Sequence, residues 1–279
     1  MKVSRLVALF AATAAATLFS GAASAAGQAN DSIAAIKARG TVKIAVFSDK
    51  PPFGFVDKFG KNQGYDVYFA RRFAKELLGD ENKIEFVLVE PAARVDVLES
   101  GRVDIVFANF TVTPERAKRV DFAKPYFKTA IGVVSNDSTP IAKEGDLQGK
   151  KLIVIRGTTA DVYFSKVKGI ELVKYDQIGD AFQALRDGRG VGLAQDTTLV
   201  LAWANENKGF SVKLGDVGDV EPIAPAVRKG NTELRDWINA TLVKLGKERF
   251  AHTAYDATLK PYYGANTNPD DLVVEGGAF

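Results

Sequence analysis

The sequence predicts an α/β fold of two Rossmann-like lobes joined by a two-segment hinge, with a ligand cleft between the lobes. Three observations carry this prediction. Strand-like and helix-like stretches alternate from Val42 onward, the alternation restarts near residue 150, and two long extended segments connect the halves.

The first half opens with VKIAVF (42–47), a strand-like run that ends at Ser48 and Asp49, where Pro51 and Pro52 forbid a helix. GYDVYFARRFAKELLG (64–79) places Tyr65, Phe69, Phe73 and Leu77 at helical spacing, with Gly79 as the stop. KIEFVLVE (83–90) reads as a strand, RVDVLESG (94–101) as a short helix and VDIVFANF (103–110) as a buried strand. The pattern restarts with KKLIVI (150–155), followed by the helix TADVYFSKV (159–167), the strand IELVKYD (170–176) and the helix GDAFQALRDG (179–188). The strand VGLAQD (191–196) and a helical TTLVLAWANEN (197–207) complete it. KIAVFSD answers KLIVIRG, and LESGR (98–102) answers LRDGR (185–189), which sets Asn109 opposite Asp196 at matching strand ends.

PYFKTAIGVVSNDS (125–138) leaves the first lobe in extended form, and DVEPIAPAVRKG (219–230) is too rich in proline for a helix. ELRDWINATLVKLGKERFAHTAY (233–255) reads as one long amphipathic helix that returns to pack on the first lobe. The expected division is residues 26–132 and 224–279 for lobe one and 133–223 for lobe two. Ligands of open α/β sheets sit at the carboxyl ends of the strands, so two such lobes make a cleft that closes by hinge motion.

The first 25 residues stand apart. Lys2 and Arg5 precede the apolar run LVALFAATAAATLF, and Ala23-Ser24-Ala25 offers a small-residue cleavage site, the pattern of an export signal. The run is too short and alanine-rich for a membrane span. Without it, roughly 250 residues remain, enough for one large or two modest domains. An apolar fraction of 46% and a charged fraction of 25% are ordinary for a soluble protein. The chain has no cysteine, which excludes a disulfide, a zinc–thiolate site, a thiol nucleophile and a lipid-anchoring cysteine. His252 is the single histidine, so a multi-histidine metal site is excluded and no metal or cofactor is expected. The net charge of +3 carries no basic block suited to nucleic acid.

The sharpest local signal is NFTVTPERAKRVDFAKPYF (109–127). Thr113 and Pro114 are a capping hydroxyl and a first-position proline, with Arg116 one turn inside. Arg116 beside Thr111 is suited to grip a carboxylate, or it pairs with Glu115 or Asp121 on the surface; both readings stay open. RGTTAD (156–161) offers Thr158 and Thr159 as anion-facing donors or as ordinary caps, and it lacks the pattern of a phosphate loop. Asp196 and Asp49 are helix or loop caps, or carboxylates for an ammonium group. Arg94 sits at a helix start, where a cation either faces an anion or lies in solvent. Donors for a carboxylate with an acceptor for an ammonium are what a zwitterion needs, because either charge buried alone costs several kcal/mol.

DKPPFGF, GYDVYFARRFAKEL, GRVDIVFANFTVTPERAKRVDFAKPYF, LQGKKLIVIRGTTA and LAQD, in this order, resemble the periplasmic solute-binding proteins of polar amino-acid ABC importers. The likeness covers essentially the whole chain after the export segment. GDKPPFG-like, ANFTVTP, GTTADVYF, IAPAVRKG and DLVVEGG stretches are most similar to its cysteine-binding branch. The resemblance implies the type II periplasmic binding fold and a non-catalytic, monomeric receptor, exported to the periplasm with cleavage near Ala25. Its partners would be a free L-amino acid, cysteine before aspartate, glutamate or glutamine, and a membrane permease. It implies that Arg116 binds the ligand α-carboxylate with Thr111, Thr158 and Thr159, that Asp196 binds the α-ammonium and that Asn109 contacts the ligand through its carbonyl. It further implies that Phe53 and Asp49 line the pocket and that Arg94 lies near the ligand side chain. A dehydratase-like enzyme and a signalling or adhesion module on the same scaffold are the alternatives. The NPDDLVVEGGAF tail carries no role on this reading.

Overall fold

The computed structural model describes residues 31–264 and 267–279. The expected export segment and its cleavage site lie outside these residues. After a short helix, Ile33–Arg39 (α1), the first half contains Val42–Val46 (β1), Asp49–Lys50 (β2), Gly54–Val56 (β3), Asn62–Gln63 (β4) and Tyr65–Leu78 (α2). Ile84–Leu88 (β5), Arg94–Glu99 (α3), Ile105–Val106 (β6), Pro114–Arg119 (α4) and Val120–Phe122 (β7) follow. Phe127–Asn136 (β8) crosses to the second half, made of Lys151–Ile155 (β9), Thr159–Phe164 (α5), Glu171–Tyr175 (β10), Ile178–Arg186 (α6), Gly192–Asp196 (β11) and Thr197–Glu206 (α7). Phe210–Ile223 (β12) returns to Ala226–Arg228 (β13), Thr232–Gly246 (α8), Phe250–Thr258 (α9) and Lys260–Tyr263 (α10).

The protein is a mixed α/β molecule of two five-stranded sheets, ordered β5-β1-β6-β13-β7 and β10-β9-β11-β8-β12. Each has a parallel core, in which β1 pairs with β5 and β6, and β9 with β10 and β11. Parallel strands are covered on both faces, and alternate residues therefore serve two cores. Ile44 and Val46 of β1 join one buried cluster and Ala45 another; Ile153 and Ile155 of β9 are likewise divided from Leu152 and Val154. Helix α2 buries Tyr65, Phe69, Phe73 and Leu77 as its spacing predicts, and ends on Gly79 at φ 77°, whose N–H bonds the Lys75 carbonyl.

The two crossing strands lie side by side. β8 and β12 pair antiparallel from Phe127 opposite Ile223 to Asn136 opposite Phe210, with register shifts after Val212, Leu214 and Val217. The sequence-based cuts at 132 and 223 thus fall inside the first strand and at the end of the second. Such bulges bend and twist a two-stranded ribbon.

Two expectations are corrected. The helix expected over 233–255 is two helices, because Arg249 takes the left-handed conformation at φ 52° between α8 and α9. The break lets both faces reach α2: α8 buries Leu234, Ile238, Leu242 and Leu245, while Phe250 of α9 packs 5.0 Å from Phe69. Helix α5 stops at Phe164, short of the expected Val167. The tail also acquires a place. Val273 bridges to Phe127, Lys128 N–H donates to Leu272 O at 2.9 Å and Val274 N–H to Tyr126 O at 3.1 Å, so the tail is strapped to the start of β8.

Candidate functional site

Strand ends of the two sheets converge on a tight cavity of about 10 Å³. Phe47 and Lys50 reach it from the end of β1, Asn109 and Thr111 from the end of β6, and Arg94 from the start of α3. From the other side come Thr158 and Thr159 after β9, Gln195 and Asp196 at the end of β11, and Leu199 of α7.

Asp196 is 5% exposed. It stands where a helix cap would, but its side chain makes no capping bond; Oδ2 instead accepts from Asn109 Nδ2 across the cleft at 2.6 Å. Burial pushes its pKa up to about 6, against the opposing pull of Arg94, the Asn109 hydrogen bond and Arg116. Asn109 holds a left-handed φ of 42°, a conformation that asparagine tolerates better than most residues. Its N–H is anchored on Asp66 Oδ2 at 2.8 Å. Its side-chain Oδ1 is buried without a partner, an uncommon and costly arrangement. The Asn109 carbonyl, expected to meet the ligand, accepts instead from Arg94 at 2.9 Å. The acceptor turned free at this position is the side-chain oxygen.

Arg94 explains its own awkward place at a helix start. Its Nε donates to Pro91 O at 3.0 Å, its Nη1 to Ala108 O and Asn109 O at 3.0 and 2.9 Å, and its Nη2 across the cleft to Gly157 O at 3.3 Å. Four backbone carbonyls thus satisfy a buried guanidinium. Burial and the neighbouring charge of Arg116 lower its pKa well below the usual arginine value. Arg116 is turned inward as well, since Glu115 pairs with Lys118 and Asp121 with Lys229. Thr113 caps α4 as expected, its hydroxyl accepting from Arg116 N–H. The guanidinium does not itself line the cavity: it stands behind Thr111, donating to Thr111 O at 2.7 Å and across the cleft to Gly157 O at 2.8 Å. Burial lowers its pKa to about 10, with Asp196 and Glu221 pulling the other way. Both guanidinium groups lie against the Phe110 ring, at 4.5 and 5.0 Å from its centroid.

Thr158 caps α5, its Oγ1 accepting from Asp161 N–H at 3.1 Å and donating to Ile155 O at 2.8 Å. Capping is therefore what its hydroxyl does, while the first-turn N–H groups beside it have no partner within the helix. Asp49 is absent from this cavity. Its Oδ2 accepts from Ile178 N–H at the start of α6 at 2.9 Å, a tie between the lobes. The placement of Phe53 in the pocket wall is a correction: it is completely buried in the core, edge-on to Phe127 at 5.3 Å, because the turn folds its ring back under β8. Phe47 takes the wall position.

Lys50, Leu199, Gln195 and Asp66 were missed in the sequence. Lys50 is only 1% exposed, with Nζ paired to Asp49 and Glu90 and lying 4.4 Å over the Phe47 ring. Asp66 accepts from Tyr126 OH at 2.5 Å, and burial still pushes its pKa up to about 7. Its sequence position, in the first turn of a helix, is that of an ordinary dipole-facing carboxylate. His252 lies on α9 with its ring between Glu275 and Asp270, remote from the lining. Among the described residues no group of three or more potential ligands could hold a metal.

Comparison with known proteins adds four findings. The model of the bacterial extracellular solute-binding proteins, family 3, matches residues 42–260. Among solved structures, a cysteine-binding protein from Campylobacter jejuni is 49% identical with a TM-score of 0.86, covering 87% of this chain and 98% of its own. The solute receptor for L-cysteine of Neisseria gonorrhoeae is 50% identical with a TM-score of 0.86, over 88% and 100%. A glutamine-binding protein of a Bacillus subtilis ABC transporter is 32% identical over 218 residues, 77% of this chain and 80% of that one.

Proposed function

The chain belongs to the bacterial extracellular solute-binding proteins of family 3, and we propose that it captures free L-cysteine in the periplasm and presents it to the permease of an ABC importer. The observation that carries the amino-acid reading is that groups suited to both charges line one small cavity. Asp196 supplies a buried carboxylate, and Asn109 beside it has its Oδ1 buried without a partner. Thr111, Arg94, Thr158 and Thr159 line the same cavity, with Arg116 donating to Thr111 O from behind. A zwitterion satisfies both sets, whereas either charge alone would be buried unpaired.

On this reading the ammonium bonds Asp196 and Asn109 Oδ1. The carboxylate takes the first-turn N–H groups at Thr159 and displaces the Gly157 carbonyl from Arg116, because a charge-assisted bond is the stronger of the two. Arg94 acts as a strut, its guanidinium donating to four backbone carbonyls. Phe47 and Leu199 suit a short, soft side chain, and the two L-cysteine receptors at 49% and 50% identity support the same choice over glutamine. The protein acts as a monomeric receptor and leaves its ligand chemically unchanged.

A panel of the twenty amino acids and cystine tests this by thermal melting. Ligand at a hundredfold excess over Kd adds about 2.7 kcal/mol of stability. Cysteine is expected to give the largest shift. No shift with any amino acid refutes the receptor reading, and consumption of the ligand refutes the non-catalytic one.

A further inference from the structure

Beside the ligand cavity lies a second one, of about 180 Å³, and Lys50 and Leu199 line both. We infer that these two side chains form the partition that limits the length of the ligand side chain, and that the chamber behind it accepts S-substituted cysteines once the partition is opened. This rests on the amino-acid reading above.

In the first cavity the charged ends account for the polar lining, and Gln195 is turned to the Asp196 N–H at 2.9 Å. That leaves Phe47, Lys50, Pro91 and Leu199 to face the ligand side chain. Lys50 is a fixed wall: its buried ammonium is held by the half-buried Asp49 and Glu90, and its charge lies over the Phe47 ring, so moving it would break two ion pairs. Leu199, 2% exposed on α7, closes the other side.

The chamber beyond is the larger, with aromatic rings between charged rims formed by Asp49, Arg186 and Glu206. Phe182 and Trp203 stack at 4.2 Å with ring planes 3° apart, and Tyr262 approaches from the opposite lobe. A thioether or benzyl group suits the rings. A side chain longer than that of cysteine meets Lys50 and Leu199 before it can reach those rings.

Calorimetric titration with L-cysteine, S-methyl-L-cysteine and S-benzyl-L-cysteine tests the partition. The wild type is expected to bind the S-benzyl compound about a hundredfold more weakly than cysteine. Leu199→Ala is expected to recover about tenfold of that loss. Leu199→Val, which risks less of the core, is expected to recover part of it, with thermal melting confirming that each variant is folded. Lys50→Met keeps the bulk but removes the ion pairs that fix this wall, and it is expected to recover part of the S-benzyl binding as well. Cysteine binding without any gain in folded Leu199 variants overturns the partition alone. A wild type that binds no amino acid overturns the receptor reading and this inference with it.

Discussion

At Asp196 two forces oppose each other: desolvation favours the neutral acid, while Arg94, Asn109 and Arg116 favour the carboxylate, and the outcome is a pKa near 6. An ammonium ligand binds the charged form. Proton and ligand therefore compete, and affinity is expected to hold above pH 6 and fall about tenfold per unit well below it. Titration calorimetry from pH 4.5 to 8 checks this, and a flat profile excludes Asp196 as the ammonium contact. Asp66 acts on stability instead. Its pKa rises from the ordinary 3.8 to about 7 on folding, so the folded state holds more protons between those values. Stability is thus expected to decline as pH rises through that window, and Asp66→Asn to flatten the slope in urea denaturation. Arg116→Ala and Asp196→Ala are each expected to abolish the ligand-induced melting shift in a folded protein; a retained shift in either removes that residue from the site. Asp196, Asn109, Thr111, Thr158, Thr159 and Arg94 were all legible in the sequence, because polar residues at strand ends have few other places to go. Lys50 was not, since nothing local distinguishes a buried lysine from a solvated one until Asp49, Glu90 and Phe47 are seen around it.

Among the connecting elements, the turn between β9 and α5 brings the lobes into contact. Gly157 has φ +75°, and a Cβ there would lie 2.6 Å from Ala92 Cα of the opposite lobe. Its carbonyl also receives both cleft-spanning arginines. Gly157→Ala is expected to cost about 1 kcal/mol through the left-handed backbone alone. By holding the lobes apart it should weaken ligand binding by more than the matching tenfold, which parallel calorimetry and denaturation would resolve; equal losses would argue against a role in closure. The sequence showed this glycine only as part of a strand-to-helix turn. Helical periodicity continues from 233 to 255 without a proline, and Gly246 is the one weak helix former near the break. The break at Arg249 arises because α8 and α9 must both reach α2 while Gly246 packs against Gly276 of the tail.

For the molecule as a whole, the paired crossing strands and the cleft-spanning bonds describe two lobes that meet around their ligand. The absence of native cysteine makes closure directly measurable. Lys58→Cys and Lys168→Cys, both at exposed positions on different lobes, accept maleimide-linked fluorophores that free cysteine does not remove. Energy transfer is expected to rise on adding ligand and to stay constant in the Asp196→Ala background; an unchanged signal in the wild type argues against hinge closure. The sequence by itself determined the alternating strands and helices, their restart in the second lobe and the polar residues at the strand ends, because periodicity and chain-breaking residues act over a few positions. Tertiary structure alone decided that Arg116 turns inward, that Phe53 joins the core and that Lys50 and Leu199 wall the cavity. Those outcomes depend on partners remote in the chain, such as Asn109 and Asp196, 87 residues apart, which meet only when both lobes are folded and facing.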